Sequence, residues 1–250
     1  MRPPIRAVGV LVPARDEEAG VGRCLDSVLV ALRRLPSDVA AAVCLVVDRS
    51  RDGTRCAARR TVRHHRASPR GLRSTVDVLV NEQPVWVGAV RNQAARTLLD
   101  RLRAVPPSAT WLLSTDADSR VDADWVERHL ELADAGADAV AGGVRPDGPV
   151  STWVDDPAGM YAANLGLRAG PFLQVGGFPV VRNGEDGGVV RRFRDVGRRV
   201  VVEPRLTVAT SARLQGRARG GLADLLRHRE RRPSPSETRI SRPDAGTPTP

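Results

Sequence analysis

Ala7-Val-Gly-Val-Leu-Val-Pro13 is an apolar run of strand length that ends at a proline. Helical spacing of apolar residues follows through Gly22-Arg-Cys-Leu-Asp-Ser-Val-Leu-Val-Ala-Leu32, with Asp16 placed to cap that helix. The alternation then repeats. A β-branched run from Val39 to Val47 closes at Asp48, and the turn residues Ser50-Arg-Asp-Gly-Thr54 lead into a second helix, with Asp52 as its cap. Val76–Val80 predicts a third strand, Gly88–Leu102 a helix and Thr110–Thr115 a fourth strand. Strands alternating with helices of this length imply βαβ units and a mainly parallel sheet. Ligands of such sheets bind beyond the carboxyl ends of the strands. Those ends carry Pro13-Ala-Arg-Asp-Glu17, Asp48 and Asp116-Ala-Asp118.

The second half is less regular. Ala139–Val144, Arg199–Glu203 and Leu206–Thr210 read as short strands, Gly176-Gly-Phe178 as a turn and Glu185–Gly197 as a helix. From Pro233 onward Pro, Ser, Thr, Arg and Gly dominate, which predicts a disordered tail over 233–250. The expected organisation is one domain over 1–232, divided into a regular half near 6–120 and a less regular half near 121–226.

With 250 residues of which 41% are hydrophobic, the chain can build one large core. Aromatics make up only 3%, so that core must rest on Val, Leu and Ala. All 39 basic residues are arginine, which fits coding from a GC-rich genome, and the net charge of +10 suits anionic partners. Nine arginines against three acids between Arg213 and Arg242 supply much of that excess. Cys24, Cys44 and Cys56 lack metal-ligand spacing and read as small apolar residues. The four histidines have no such spacing either and read as surface residues, while Trp86, Trp111, Trp125 and Trp153 read as packing residues. An early Arg-Pro-Pro and the lack of a long apolar run predict a soluble cytoplasmic protein, at most weakly peripheral to the membrane, with no nucleic-acid partner.

The strongest chemical signal is Leu112-Leu-Ser-Thr-Asp-Ala-Asp-Ser119. Two carboxylates just past an apolar strand can face one hard cation, Mn²⁺ or Mg²⁺, whose remaining positions take water and phosphate. Asp48 could accept hydrogen bonds from a base or ribose. Arg91, near the start of a helix in Val87-Gly-Ala-Val-Arg-Asn92, could clamp phosphate. Asn183-Gly-Glu-Asp-Gly-Gly188 offers a carboxylate that could take a proton from an attacking hydroxyl.

The order of these pieces, from Arg6 to Leu226, resembles family 2 glycosyltransferases, inverting enzymes of the GT-A fold. Val10-Leu-Val-Pro-Ala-Arg-Asp-Glu-Glu18 is similar to that family's opening strand and nucleotide loop, Gly88-Ala-Val-Arg-Asn92 to its Gly-x-x-Arg-Asn segment, and Asp116-Ala-Asp118 to its Asp-x-Asp motif. Ala163-Asn-Leu-Gly-Leu-Arg168 with Val175-Gly-Gly-Phe178 looks like its acceptor-side segment, and Glu185-Asp186 like its Glu-Asp pair.

The resemblance implies a GT-A, Rossmann-like, mainly parallel sheet flanked by helices, with a smaller mixed acceptor-side region. It implies transfer of one sugar from a nucleoside-diphosphate sugar, most often a UDP-sugar, to the hydroxyl of a lipid-linked or small-molecule acceptor. Pro13, Ala14, Arg15, Glu17, Asp48, Arg91 and Asp116 would bind the donor, and Asp118 with Asp116 the metal. Gly176, Gly177, Phe178 and Glu185 would line the acceptor side, with Asp186, or alternatively Glu185, as general base. Gly187 and Gly188 replace the bulky or acidic residue that often follows the pair. The Gln-x-x-Arg-Trp segment of processive synthases is absent, which predicts single transfer. Arg213 and Arg217 could add charge near the phosphates.

Two other classes compete. A nucleotidyltransferase could share the sheet and acidic metal site, but it would carry a glycine-rich basic loop after the first strand, where this chain is acidic. A non-catalytic basic membrane or nucleic-acid module would use the Arg213–Arg242 segment, with Gly221–Leu226 as a short apolar face.

Overall fold

The first half alternates as the apolar pattern predicts: β1 (Ala7–Ala14), α1 (Val21–Leu32), β2 (Ala40–Asp48), α2 (Thr54–Ala67), β3 (Thr75–Asn81), α3 (Val87–Arg101) and β4 (Thr110–Ser114). Then come β5 (Ser119–Arg120), α4 (Trp125–Asp134), β6 (Ala139–Asp147), β7 (Leu165–Arg168), α5 (Ala169–Gln174), α6 (Glu185–Asp195) and β8 (Val200–Ser211). The computed structural model describes residues 2–69, 71–147 and 162–211. The sequence readings at Trp153, Arg213, Arg217, His228, the 221–226 face and the 233–250 tail lie outside the described residues.

One eight-stranded sheet runs in the order β3-β2-β1-β4-β7-β6-β8-β5. The first four strands pair in parallel. β7 runs antiparallel to both β4 and β6, β8 is parallel to β6, and β5 is antiparallel to β8. The parallel half and the mixed half therefore meet at β4, whose carboxyl end leads into Asp116 and Asp118.

Alternation along the buried strands sends side chains to both faces. Val8, Val10 and Val12 of β1 join Val43, Leu45 and Val47 of β2 in one core layer, under α1, α2 and α4. Ala7 and Leu11 join Ala42, Cys44 and Val46 in the other, under α3, α5 and α6. Helix α1 buries Val21, Cys24, Leu25, Val28, Leu29 and Leu32, a stripe of helical period.

Four expectations change. The two strands expected at 199–203 and 206–210 are one strand, β8. Its register against β6 slips between Gly142, opposite Glu203, and Gly143, opposite Thr207, so a bulge absorbs Pro204–Leu206. Helix α4 escaped the sequence reading because its buried face is Trp125, Val126, His129 and Ala133, with a histidine interrupting the apolar stripe. His129 is fully buried and His65 nearly so, whereas His64 is exposed as predicted. Trp111 and Trp125 are core residues, but Trp86 is 50% exposed, and Cys56 is exposed while Cys24 and Cys44 are buried.

Burial pushes the His129 pKa down to about 4, against a hydrogen bond to Asn164 that favours the charged form. The unfolded chain therefore binds this proton first. The stabilisation is fully present above the unfolded value near pH 6.5 and is lost as pH falls towards 4, at about 1.4 kcal/mol per unit. Thermal unfolding followed between pH 7 and 4 should show this slope, and His129→Gln should flatten it. An unchanged slope in that variant would assign the pH dependence to other groups.

Candidate active site

The loops after β1 and β2 are locked together. Asp16 and Arg49 adopt left-handed backbone, at φ 50° and φ 45°, which non-glycine residues enter at a cost. Hydrogen bonds hold them there. Asp16 N–H donates to Ser50 Oγ at 3.0 Å, Arg51 N–H to Asp16 Oδ1 at 2.7 Å, and Arg49 N–H to Asn81 O at 2.9 Å. Glu17 N–H donates to Thr54 Oγ1 at 2.7 Å and Glu18 N–H to Asp52 Oδ2 at 3.0 Å. Asp16 is thus not the cap of α1, whose N-cap is Gly20. Its carboxylate braces the neighbouring loop because α1 starts too far along the chain for it to reach. Asp52 does serve the start of α2, accepting from Thr54 N–H at 3.0 Å, although the cap position itself is Gly53.

Within this frame Asp48 ends β2, buried, with its Oδ1 accepting from Asn81 Nδ2 at 2.7 Å and Arg49 Nε at 3.3 Å. The exposed Arg15 guanidinium lies 4.0 Å from Asp48 Oδ2. Pro13 is half-buried, Ala14 buried and Glu17 half-buried. A Cβ on Gly20 would lie 3.2 Å from Ala117 O and 3.5 Å from Glu17 Oε2, which brings the first loop beside the two aspartates.

Arg91 is the hub. It is almost fully buried, its NH1 donating to Ser114 Oγ and its NH2 to Asp116 Oδ1, both at 2.6 Å, while Nε lies 3.6 Å from Glu185 Oε1. Burial opposes its charge, but Asp116, Glu185 and Asp186 outweigh burial and its pKa rises. The Glu185 carboxyl is shifted up: burial is the largest influence, Arg91 opposes it and Asp186 adds to it. One guanidinium thus joins the end of β4 to the first turn of α6, ahead of which Gly184 takes φ 79°.

Helix α3 also holds the loop through Phe178 and Pro179. Asn92 Nδ2 donates to Phe178 O at 2.8 Å and its Oδ1 accepts Phe178 N–H at 2.9 Å. A Cβ on Gly88 would come within 2.2 Å of Pro179 O, so only glycine allows this approach. Gly177 and Phe178 are buried here, and Gly176 is exposed. Asp186 is half-buried, its Oδ1 accepting from Gly187 N–H at 2.8 Å and its Oδ2 from Ala162 N–H at 3.3 Å.

Asp116 and Asp118 are both half-buried on the turn between β4 and β5. The β5–β8 pairing sets Ser119 opposite Thr210, whose Oγ1 donates to Asp118 Oδ1 at 3.3 Å. The donor set suits a hard divalent cation, since Mg²⁺ or Mn²⁺ is commonly held by one or two carboxylates with water and phosphate. Among the described residues no group of three or more His, Cys, Asp or Glu could hold a metal unaided. The remaining ligands would have to come from a diphosphate and water.

Two results refine the sequence reading. Arg168, taken with the acceptor-side segment, pairs with Trp111 at the amino-terminal end of β4 and donates to Ser108 O and Ala133 O, so it braces the end of the sheet opposite the two aspartates. Ser114, Asn81 and Thr210 contact site residues that the sequence reading did not pair with them; the available signal was a polar side chain at the end of an apolar strand.

A search of curated protein sequences finds no match. Solved structures share the fold. A mannosyltransferase from Pyrobaculum calidifontis in complex with GDP-Man and Mn²⁺ superposes with a TM-score of 0.66 at 19% identity, over 86% of this chain and 59% of that one. Staphylococcus aureus TarS 1-349 in complex with UDP-GlcNAc gives 0.63 at 16% identity, over 84% and 60%. GalNAc-T7 with UDP, GalNAc and Mn²⁺ gives 0.62 at 14%, over 85% and 45%. The chain thus spans less than two thirds of the length of these structures, and the fold it shares with them is GT-A. Residues 9–175, more than half of the 250-residue chain, match the sequence profile of glycosyl transferase family 2, and the chain belongs to that family.

Proposed function

We propose that this protein transfers one sugar from a nucleoside-diphosphate sugar to an acceptor hydroxyl with inversion at the anomeric carbon. The observation that carries this reading is the Arg91 hub, which ties the Asp116–Asp118 turn to the Glu185–Asp186 helix. Donor-side and acceptor-side carboxylates are held in register through one buried cation.

In this reading the base and ribose lie against Pro13–Glu17 and Asp48, where the locked loops keep the surface fixed. The diphosphate lies beside Asp116 and Asp118, with a uridine carrier and Mn²⁺ or Mg²⁺ as first candidates. The divalent ion would offset charge gathering on the leaving diphosphate. Arg91 orients Asp116 and adds positive potential at the same place. The acceptor enters beside the exposed Gly176, with Gly177 and Phe178 buried behind it as the fixed backing of that loop. Glu185 is held in the Arg91 contact, so Asp186 is the half-exposed carboxylate of the pair, which supports Asp186 as the base. It takes the hydroxyl proton as the acceptor oxygen bonds to the anomeric carbon and the bond to the diphosphate oxygen breaks. The products are glycoside and free nucleoside diphosphate; release of pyrophosphate would instead indicate nucleotidyl transfer.

Calorimetry with UDP, with and without Mn²⁺, tests the donor site. Wild type should bind UDP more tightly with Mn²⁺, and Asp118→Ala should remove that gain while leaving the metal-free affinity similar. Equal Mn²⁺ enhancement in both proteins would remove Asp118 from the metal site.

A further inference from the structure

The acceptor side carries an exposed apolar lip. Trp86, immediately ahead of α3, is 50% exposed, and Val180 and Val181 are 56% and 41% exposed. Two fixed contacts bring their segments together: the approach of Gly88 to Pro179, and the Asn92 bonds to Phe178. Pro179 also lies against Gly188, in the first turn of α6. The lip therefore borders the helix start that holds Glu185 and Asp186. Single exposed apolar residues are ordinary, but a tryptophan and two adjacent valines on pinned segments beside a catalytic mouth form a patch.

The charge around the patch indicates what covers it. Between Val180 and the end of α6 stand four arginines (182, 191, 192 and 194) against three acids, and one of those acids, Glu185, is buried against Arg91. The whole chain carries +10. Apolar side chains among arginines match an anionic bilayer, with tryptophan at headgroup depth, valines below it and guanidiniums on lipid phosphates. A soluble apolar acceptor would use the lip but draw nothing from the exposed positive charge of Arg191 and Arg194.

We propose that Trp86, Val180 and Val181 dock the acceptor mouth onto an anionic lipid surface, so that a hydroxyl carried by a membrane lipid reaches Asp186 from the bilayer side. The docking stands on the lip alone; the delivery of a hydroxyl rests on the transferase reading above.

Sedimentation of the full chain with phosphatidylcholine vesicles, with and without roughly one third phosphatidylglycerol, tests the docking. Wild type should partition onto the anionic vesicles. The triple variant Trp86→Ser, Val180→Ser, Val181→Ser should partition roughly tenfold less. Val30→Ser, an exposed position on α1, should partition as wild type does. Unchanged partition of the triple variant would overturn the proposal and assign binding to another surface such as the Arg213–Arg242 segment. Absence of wild-type partition, with a soluble p-nitrophenyl glycoside binding wild type but not the triple variant, would overturn it in favour of a soluble acceptor. UDP affinity with Mn²⁺, measured on the same proteins, should be equal in wild type and triple variant. If no protein bound UDP while the lip still governed partition, the donor reading would fail and the docking would stand.

Discussion

Asp186→Asn should lower the rate of sugar transfer roughly 10²–10⁴-fold while leaving donor affinity unchanged. The substitution keeps the size and shape of the side chain. An amide oxygen can still accept the N–H of Gly187 or of Ala162, so the start of α6 should stay in place. What is lost is the ability to accept a proton from the attacking oxygen. Glu185→Gln makes the contrast. Glu185 faces Arg91, which also holds Asp116, so its neutralisation should weaken donor binding along with rate. Single-turnover rates with saturating donor, together with calorimetric affinities, separate the two variants. Full activity in Asp186→Asn, with a base-type loss confined to Glu185→Gln, would transfer the proton-accepting role to Glu185.

The parallel half of the fold was legible because β1, β2 and β4 are nearly continuous apolar runs, each closed or followed at once by a polar residue. β1, β2 and β4 are buried on both faces, and Asp48 and Asp116 sit at or just past the carboxyl ends of β2 and β4. The mixed half was less legible because its determinants are not periodic. β5 is two residues long and exists through its pairing with Thr210. Pro204 made β8 read as two strands, although a bulge accommodates it. His129 broke the stripe of α4 while lying entirely inside. The same division applies to the candidate site. Residues adjacent in sequence, such as Asp116 with Asp118, declared their chemistry. Residues joined only by folding did not: the Asn92 bonds to Phe178 and the bridge from Arg91 to Glu185 span segments far apart in the chain. Asp16 is the instructive error. An aspartate ahead of a helical stripe reads locally as a cap, yet its carboxylate reaches Arg51 N–H in the next loop. Local propensity lost there to a tertiary contact.

Asn164→Leu should cost about 3 kcal/mol of stability, because one buried amide joins four groups, three of them on residues almost wholly shielded from water. Its Oδ1 accepts from Trp125 Nε1 at 2.9 Å and from His129 Nε2 at 3.1 Å. Its Nδ2 donates to Leu206 O at 2.6 Å and to Gly143 O at 2.9 Å. Leucine is similar in size and offers none of these bonds, so two donors of α4 and two carbonyls beside the β6–β8 bulge would be stranded. For a domain of this size that loss lowers the melting temperature by roughly 10 °C. Asn164→Asp should not rescue it, since a carboxylate satisfies the donors but repels both carbonyls. A variant that melts with wild type would show that water or local rearrangement replaces the amide. The consequence for activity follows from connectivity. Asn164 lies two residues from Ala162, whose N–H is held by Asp186 Oδ2. Loosening Asn164 should therefore reduce the rate through the base, while Mn²⁺-supported UDP binding, built on residues 13–118, stays near wild type at temperatures where the variant is folded.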